Sequence, residues 1–597
     1  MASQPVNSST RAMPLLGVSH SLAGQRWELV SVSNDHVAGI AQRHGLNDSI
    51  ARILAARDVS IDDAARVLAP RLRDEMPDPS IFKDMDTAVA RTVQAIDQGE
   101  TITIYGDYDV DGATSSALLI RFFRLIGIAV EAYIPDRLAE GYGLNTPALQ
   151  TLRANGSDLV ITVDCGTQSV SEIAAARHAG LEMIVLDHHQ PSADLPPAVA
   201  IVNPNRHDEP SDFGYLAACG VTFLFIVALN RALRENGFFK ASKPPDLLSL
   251  LDLVALGTVC DVMPLRGLNR AFVSQGLAVL ADRQNAGLAA LCDVAGVDRK
   301  PDAYHLGFLL GPRVNAGGRV GTANLGVRLL SSDEPEVVTG LAQRLDGHNA
   351  DRRAIEAEVQ AAARLQIIET PDEPIAIAAG EGWHPGVIGI VASRLKEEFG
   401  RPSFVFACEN GIAKGSARSI PRVDIGQAVI AAANEGIISA GGGHAMAAGL
   451  TLPVSGIPAF KSYMDQKLSH IIARARSDHA LIIDALISSA GATVDLVREV
   501  EALAPYGPGF RTPRFAISDA ELIKADIVGE AHMRGLWAVP GGNRLKSILF
   551  RGVGTPLGDT LISANRGQKF HLVGKLKVDT WTRTEQAELH LEDAALA

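Results

Sequence analysis

Three aspartates, Asp107, Asp109 and Asp111, lie within five residues of the stretch TITIYGDYDVDGATSSALL. Carboxylates held a few ångströms apart cannot all stay ionised unless a cation compensates them or some of them take up protons. Further ionisable residues follow two later apolar runs: Asp164 in DLVITVDCG, and Asp187, His188 and His189 in LEMIVLDHH. Carboxylate oxygens with one or two imidazoles suit Mn²⁺ or Mg²⁺. These residue types therefore indicate a site for two divalent metal ions.

The apolar runs that precede these residues are typical of strands, and helical patterns follow them. TITIYGD leads into ATSSALLIRFFRLIG, and DLVITVDCG leads into SVSEIAAARHAG. Strands alternating with helices predict a parallel sheet covered on both faces. In open sheets of this kind, ligands bind beyond the carboxyl ends of the strands. We therefore expect the aspartates and histidines to meet at one edge of the sheet.

Two other interpretations of the aspartate triplet fit the sequence less well. A dinucleotide site would lie at the same edge, but no GxGxxG follows the first strand, and carboxylates would repel a pyrophosphate. The triplet alone could be a solvated acidic turn, because turns favour aspartate. Three coincident strand ends favour the metal site. The cysteines form no CxxC pair, so a structural zinc site is not predicted.

The composition is that of a multidomain globular protein. The chain has 597 residues, 47% hydrophobic and 21% charged, which is enough for about four domains. No apolar run approaches the roughly 20 residues that span a bilayer, so we expect no membrane association. Five single cysteines fit a reducing cytoplasm. The net charge of -13 argues against a protein coated all over by nucleic acid, but it is compatible with a local basic strip.

Eight ordered motifs carry a resemblance to a known family. They are GDYDVDG, VDCGT, DHH, CDVMPL, GPRVNAGGR, HPGVIGIVASRL, KGSARSI and GGGHAMAAGL. Together they resemble the DHH phosphoesterases, and within them the branch of bacterial single-strand-specific exonucleases. The resemblance runs from about Asn47 to the C-terminus.

The resemblance implies roles for the residues at the sheet edge. It assigns the two metal ions, Mn²⁺ or Mg²⁺, to Asp107, Asp109, Asp111, Asp164, His188 and Asp261, with Asp164 as the bridging ligand. His189 would face the scissile phosphate, and with Asp164 and Asp107 it forms the predicted catalytic group. Related small phosphatases often have a histidine where this chain has Tyr105, which leaves the division of roles between Asp107 and Asp109 open. Cys165 and Cys260 adjoin predicted ligands but have no basic partner at a matched spacing, so we predict no cysteine nucleophile.

A second set of residues is predicted to bind phosphate. Arg313, Asn315 and Arg319 lie in GPRVNAGGRVGTA, which we interpret as a glycine-rich loop whose backbone can approach a ligand closely. By analogy with the family, Arg137, Ser416 and Arg418 would bind a terminal phosphate, since the guanidinium fork matches phosphate oxygens. For Arg313 a surface salt bridge is an equally good interpretation. His444 could contact phosphate or serve as a hydrogen-bonded structural group.

The C-terminal segment differs in charge from the rest of the chain. From Arg511 to Arg583 it has 12 Lys or Arg residues against 6 Asp or Glu residues. Short β-like runs separated by glycine turns predict a small barrel of the oligonucleotide-binding (OB) type, which stacks bases and tracks phosphates. Phe550 and Phe570 are expected in its core. The predicted nucleic-acid contacts are Trp537, Trp581, Arg544, Lys546 and Lys575.

The predicted fold is α/β with a C-terminal OB-like barrel. We expect a loose tail over residues 1–46, a DHH catalytic domain with a helical lead-in over 47–330, a connecting helix with a solvated face over 331–370, a DHH-associated substrate-binding domain over 371–480 and the barrel over 481–597. The implied function is a 5′→3′ exonuclease specific for single-stranded DNA, in DNA repair and recombination. The alternatives are a phosphodiesterase for short oligonucleotides and a catalytically silent DNA-binding scaffold. We expect a monomer, supplied with single strands by a single-stranded-DNA-binding protein or a helicase.

Overall fold

The computed structural model describes residues 13–136, 140–141, 143–477, 480–539, 544–579 and 585–597. The chain forms two compact units: Met1–Asp74 together with His479–Ala597, and Glu75–Asp478. Among the described residues, no helix has both the length and the apolar character needed to cross a membrane.

The predicted parallel sheet is present in the larger unit. Its five strands lie in the order Glu131–Tyr133, Ile102–Gly106, Leu159–Val163, Glu182–Leu186 and Ala200–Val202, and every neighbouring pair is parallel. The three central strands are almost entirely buried, because helices cover both faces. Parallel strands place their carboxyl ends at one edge, so Asp107, Asp164 and Asp187 emerge side by side.

The helices of this unit follow the periodicity of the sequence. Val110–Leu125 and Ala218–Glu235 pack on one face of the sheet, and Thr146–Ala154 and Val170–His178 pack on the other. The remaining helices before the connecting helix are Met85–Gln98, Leu251–Cys260, Gly267–Ala281, Ala286–Val294, Gly311–Val320 and Leu325–Ser331.

The segment predicted as a glycine-rich loop is a helix, Gly311–Val320, preceded by the π-helical turn His305–Leu310. Its glycines serve close packing between elements. A Cβ on Gly318 would lie 3.0 Å from the carbonyl oxygen of Tyr108, which stands between two of the aspartates. The prediction of a loop was wrong because glycine at a helix contact and glycine in a loop look alike in the sequence.

The connecting helix spans Pro335–Ile368. It is less solvated than the charge pattern indicated, because Asn349, Arg352 and Glu356 are buried. Arg352 donates hydrogen bonds to Glu356 (2.9 Å) and Asn349 (2.8 Å), so these three residues are linked to one another within the helix.

The segment after the connecting helix forms a second sheet in the same unit. Its strand order is Ala440–His444, Ala447–Pro453, Ile412–Arg418, Ser403–Glu409 and Ala376–Glu381, with one parallel pair at the last edge. The helices Ile388–Phe399, Ile425–Asn434 and Ile457–Ser477 complete it.

The smaller unit contains the predicted barrel. Five strands close on themselves in the order Phe515–Val528, His532–Ala538, Arg544–Leu549, Gln586–Leu596 and Lys569–Asp579, and the last pairs with the first. The helix Pro556–Ser563 lies between the third and fourth strands in the chain. This is the closed Greek-key arrangement of an OB fold.

The loose tail predicted over residues 1–46 is wrong for residues 26–44. Arg26–Leu29 is a strand parallel to Ala480–Ile483, and the helix Asn34–His44 packs on the barrel core. Trp27 is fully buried, and its indole N–H donates to Asp593 at 2.8 Å. Residues 47–74, predicted as a lead-in to the catalytic domain, belong to this unit as well; their helices are Asp48–Ala55 and Ala64–Leu68.

Candidate active site

The aspartate triplet lies at the junction of the strand Ile102–Gly106 and the helix Val110–Leu125. Asp109 caps the helix, because its Oδ1 accepts hydrogen bonds from the amides of Asp111 (2.8 Å) and Gly112 (3.1 Å). A Cβ at Gly112 would lie 2.6 Å from the carbonyl oxygen of Asp107. Only glycine therefore permits this close return of the helix over the strand end, which explains the spacing GDYDVDG.

Asp111 is anchored at the start of a different helix. Its two carboxylate oxygens accept hydrogen bonds from the amides of Ala218 (2.6 Å) and Cys219 (2.9 Å), the first residues of Ala218–Glu235. The positive end of a helix favours a carboxylate there. Burial and the charge of Asp109 nevertheless raise the pKa of Asp111.

Asp164 follows the strand Leu159–Val163 with left-handed backbone geometry, φ 62°. It is 3% exposed, and burial together with the charges of the neighbouring aspartates raises its pKa well above the usual range. Asp261, directly after the helix Leu251–Cys260, behaves similarly: burial and the charges of Asp111 and Asp109 raise its pKa to about 9.

The DHH sequence places its three side chains in different directions. Nε2 of His188 lies 3.2 Å from Oδ1 of Asp164, 3.6 Å from Oδ2 of Asp261 and 3.9 Å from Oδ2 of Asp111. Nδ1 of His189 lies 2.8 Å from Asp187 and 3.9 Å from Asp164. Burial alone would lower the pKa of His189, but the hydrogen bond and charge of Asp187 outweigh it and raise the pKa to about 9.

The predicted metal ligands come together in two adjoining groups. Ligand atoms of Asp107, Asp109 and Asp164 lie within 4.8 Å of one another, and so do those of Asp111, His188 and Asp261. The Asp164–His188 contact joins the groups. Burial and the neighbouring carboxylates raise the pKa values of Asp111, Asp164 and Asp261, and divalent cations would offset both effects. The oxygen-rich donor set with imidazole suits Mn²⁺ or Mg²⁺.

Several residues that hold the DHH segment were not assigned a role from the sequence. Asp187 is buried and accepts hydrogen bonds from the amides of Thr167, His188 and His189. Asn203 and Asn205 donate to the carbonyl oxygens of His189 and His188. The NPN sequence directly after the strand Ala200–Val202 is the signal that could have identified the two asparagines.

The two cysteines that adjoin predicted ligands have acidic surroundings. Cys165 is buried, and burial with the charges of Asp107 and Asp187 raises the pKa of its thiol. Burial and neighbouring aspartates also raise the pKa of Cys260. Tyr105 donates to the carbonyl oxygen of Gly143 (3.1 Å).

Ser416 and Arg418 form a candidate anion site in the second sheet. Nη1 of Arg418 donates to Oγ of Ser416 (3.2 Å) and to the carbonyl oxygen of Ala417 (2.8 Å). Burial lowers the pKa of Arg418, and no carboxylate among the described residues forms an ion pair with it. A Cβ at Gly389 would lie 2.9 Å from Oγ of Ser416 and 3.1 Å from the Arg418 guanidinium, so glycine keeps the space open.

The other predicted phosphate ligands occupy varied environments. Arg313 pairs with Asp346 (2.9 Å) and donates to the carbonyl oxygen of Leu309, which agrees with the salt-bridge interpretation. Arg319 donates to the carbonyl oxygen of Gly386 (2.8 Å), so it links the helix Gly311–Val320 to the HPG segment. Asn315 is partly buried on the same helix, His444 is exposed at a strand end, and Arg137 lies outside the described residues.

The barrel distributes its aromatic residues differently from the prediction. Trp537 is fully buried and donates to Ser547, so the prediction that it binds nucleic acid is wrong. Phe570 is buried as expected, but Phe550 is 56% exposed. The Phe550 ring lies 5.4 Å from that of His532 and 5.2 Å from that of His590, and we call these three residues the Phe550 cluster.

Basic residues occur on barrel strands at or beside the Phe550 cluster. Arg544 is exposed, Lys546 pairs with Asp579 and Lys575 pairs with Glu592. Burial and the charges of Lys577 and Lys575 lower the pKa of His590. Trp581 lies outside the described residues. The second and third strands of an OB barrel are a common surface for binding oligonucleotides, and Phe550 directly follows the third.

Three family models match successive parts of the chain. The DHH family N-terminal domain matches residues 101–258, the DHHA1 domain matches residues 372–470 and the RecJ OB domain matches residues 483–593. These ranges coincide with the parallel sheet, the second sheet and the barrel.

Full-length relatives and solved structures agree with the models. The chain is 34% identical to the single-stranded-DNA-specific exonuclease RecJ of Salmonella typhimurium, covering 91% of this chain and 95% of that protein. It is 36% identical to the RecJ of Escherichia coli, covering 77% and 82%. The crystal structure of Thermus thermophilus RecJ in complex with Mn²⁺ is similar with a TM-score of 0.78 at 28% identity, covering 95% of this chain and 79% of that one. The chain belongs to the RecJ family of DHH phosphoesterases.

Proposed function

We propose that the protein is an exonuclease specific for single-stranded DNA, which removes nucleotides in the 5′→3′ direction with two divalent metal ions. The observation that carries the proposal is the pair of adjoining ligand groups, joined through Asp164 and His188 at 3.2 Å. The relatives named above carry this specificity in their names.

The metal ligands and His189 would have different roles around the scissile phosphate. Two bound metal ions would polarise the phosphodiester and lower the pKa of the attacking water. Asp187 accepts a hydrogen bond from Nδ1 of His189 and so orients the imidazole, which would face the scissile phosphate. A protonated imidazole at that position would stabilise the added negative charge of the transition state.

The direction of degradation would come from recognition of the terminal phosphate. Arg418 is partly buried and has no acidic partner among the described residues, and Ser416 supplies a hydroxyl beside it. A terminal phosphate is the dianion that such a site would favour. The site and the metal ligands belong to one compact unit, Glu75–Asp478.

The barrel would bind single-stranded DNA as well. The exposed ring of Phe550 in the Phe550 cluster would stack on unpaired bases, and nearby lysines would attract phosphates. We further propose that the substrate arises in DNA repair and recombination, that a helicase or a single-stranded-DNA-binding protein presents it, and that the chain acts as a monomer in the cytoplasm. Sedimentation of the active enzyme would test whether the chain acts as a monomer.

A labelled-strand assay tests the proposed activity. A single strand labelled at its 5′ end should lose the label as mononucleotide at once, whereas a 3′-labelled strand should shorten progressively. Cleavage should require Mn²⁺ or Mg²⁺, stop with chelator and spare a blunt duplex. Cleavage of short oligonucleotides alone would support the phosphodiesterase alternative, and binding without cleavage would support the silent scaffold.

A further inference from the structure

Two aromatic side chains at the π-helical turn that precedes the helix Gly311–Val320 are exposed. Tyr304 is 56% exposed and Phe308 is 68% exposed, although both are large and apolar. Their rings stack on each other with centroids 5.1 Å apart and planes 23° from parallel. Exposed apolar surface of this kind marks binding sites more often than single scattered residues do. We call Tyr304 and Phe308 the aromatic step.

The aromatic step adjoins the metal ligands. The π-helical turn His305–Leu310 packs on the end of the helix Leu251–Cys260: Sγ of Cys260 donates to the carbonyl oxygen of Leu306 at 3.5 Å, and a Cβ on Gly307 would lie 3.4 Å from Val259. Asp261, a member of the second ligand group, follows Cys260 directly.

The helix continues from the aromatic step to the aspartate triplet. Gly318 packs on the backbone of Tyr108, between Asp107 and Asp109. Ten residues separate Phe308 from Gly318, which corresponds to on the order of 15 Å along a helix. Asn315 and Arg319 are four residues apart in the helix Gly311–Val320, so they fall along one side of it.

We infer that the aromatic step stacks against unpaired bases of the strand whose end lies at the metal ligands. The inference rests on the proposed function and adds base-binding residues to it. The two exposed rings lie at one end of this helical segment, and the aspartates lie at its other end. Stacked rings of this kind suit bases whose faces are open. Base pairs in a duplex have no free face for such a contact, so the aromatic step would also contribute to selectivity for single strands.

The variants compare the aromatic step with a matched aromatic pair elsewhere. The test proteins are the full chain with Tyr304→Ala, with Phe308→Ala and with both, and Phe308→Trp as the conservative variant. Phe238→Ala is the control, because Phe238 is 36% exposed and its ring contacts that of Phe239 at 5.2 Å. The helix Ala218–Glu235 binds Asp111 through its first residues, and Phe238 follows its last residue. The length of this helix separates Phe238 from Asp111 by on the order of 25 Å.

Two readouts separate base stacking from catalysis. The first is KM for a 5′-phosphorylated single strand of about eight nucleotides, a length that one stacking site covers, against a 5′-phosphorylated dinucleotide. The second is the Kd of the same strand, measured by fluorescence anisotropy in chelator, with bases intact or with internal bases removed to leave abasic sugars.

The double variant should raise KM and Kd for the strand roughly tenfold or more, and the dinucleotide should be cut as by the parent. Abasic positions should weaken strand binding by the parent more than strand binding by the double variant, while Phe308→Trp and Phe238→Ala behave as the parent. The inference is wrong if removing the bases costs the parent no more affinity than it costs the double variant. This conclusion holds even where the alanine variants fold poorly. If the parent cuts no single strand at all, the proposed function itself fails.

Discussion

Nδ1 of His189 lies 2.8 Å from Oδ1 of Asp187, a buried carboxylate that belongs to neither group of candidate metal ligands. The first residue of the DHH sequence therefore positions the third. It also accepts three backbone hydrogen bonds, so the same carboxylate holds the segment and orients the imidazole.

Asp187→Asn should reduce kcat by about 10²–10⁴-fold with little change in KM, because the imidazole loses its orientation and the charge that favours its protonation. The variant should remain folded, with a loss of about 1–3 kcal/mol of stability from a disrupted buried hydrogen bond. Mn²⁺ should still raise its melting temperature as in the parent. Asp194→Asn, an exposed acid in the following loop, is the control. Loss of the Mn²⁺ effect in Asp187→Asn would show that Asp187 is a metal ligand instead.

Asp164→Asn should abolish cleavage and the stabilisation by Mn²⁺, while the metal-free protein becomes more stable. Asparagine tolerates the left-handed backbone at this position and removes a charge that its neighbours repel. Activity should fall below about a hundredth of the parent's, since loss of a residue that only supports a metal ligand already costs 10–100-fold. The checks are cleavage rates and melting curves with Mn²⁺ and with chelator. Asp158→Asn, at the opposite end of the same strand, should behave as the parent.

Arg418→Ala should reduce the preference for a 5′-phosphorylated end over a 5′-hydroxyl end by about one to two orders of magnitude. A hydrogen bond to a charged group contributes about 1.5–3 kcal/mol, and Arg418 has no acidic partner among the described residues to compensate for its loss. Arg313→Ala is the contrasting variant, because its guanidinium pairs with Asp346. It should slow the cleavage of both ends equally. If Arg418→Ala slowed the cleavage of 5′-phosphorylated and 5′-hydroxyl strands equally, the assignment of Arg418 to the terminal phosphate would be contradicted.

Phe550→Ala should weaken the binding of long single strands and leave stability within about 0.5 kcal/mol of the parent, as for an exposed residue. Trp537→Ala should instead destabilise the barrel by about 3–5 kcal/mol, because the indole is fully buried. Strand affinity at two salt concentrations and chemical denaturation distinguish the two effects. Unchanged affinity in a folded Phe550→Ala protein would assign another role to the Phe550 cluster.

Asp252→Asn should change how stability depends on pH. Burial raises the pKa of Asp252 to about 7, so the folded state holds its proton between about pH 4 and pH 7 while the unfolded state releases it. The contribution of this group to stability therefore falls as the pH rises through that range, by up to about 4 kcal/mol. The variant lacks this dependence. Its free energy of unfolding should therefore increase relative to that of the parent from pH 4 to pH 7. Denaturation in chelator measures the difference, and Asp282→Asn, exposed after a helix, is the control. Parallel curves for parent and variant would exclude the effect.

The sequence by itself determined the parallel sheet and the location of the candidate metal ligands. Strands and helices alternate with clear periods, and each acidic motif directly follows a strand. Parallel strands must bring their carboxyl ends to one edge, so this order in the chain already implied that Asp107, Asp164 and Asp187 meet. Asp261 follows a helix rather than a strand, and only the resemblance to the family indicated it as a ligand.

Only the tertiary structure decided which side of each element faces the interior and which distant segments pair. Trp537 and Phe550 lie in similar β-like runs, but the barrel buries the first and exposes the second. The helix Gly311–Val320 uses its glycines to pack closely, a use that the sequence does not distinguish from a loop. Arg26–Leu29 finds its partner at Ala480–Ile483, more than 400 residues away. Local propensity acts over a few residues, whereas burial and strand pairing depend on contacts that exist only once the whole chain has folded.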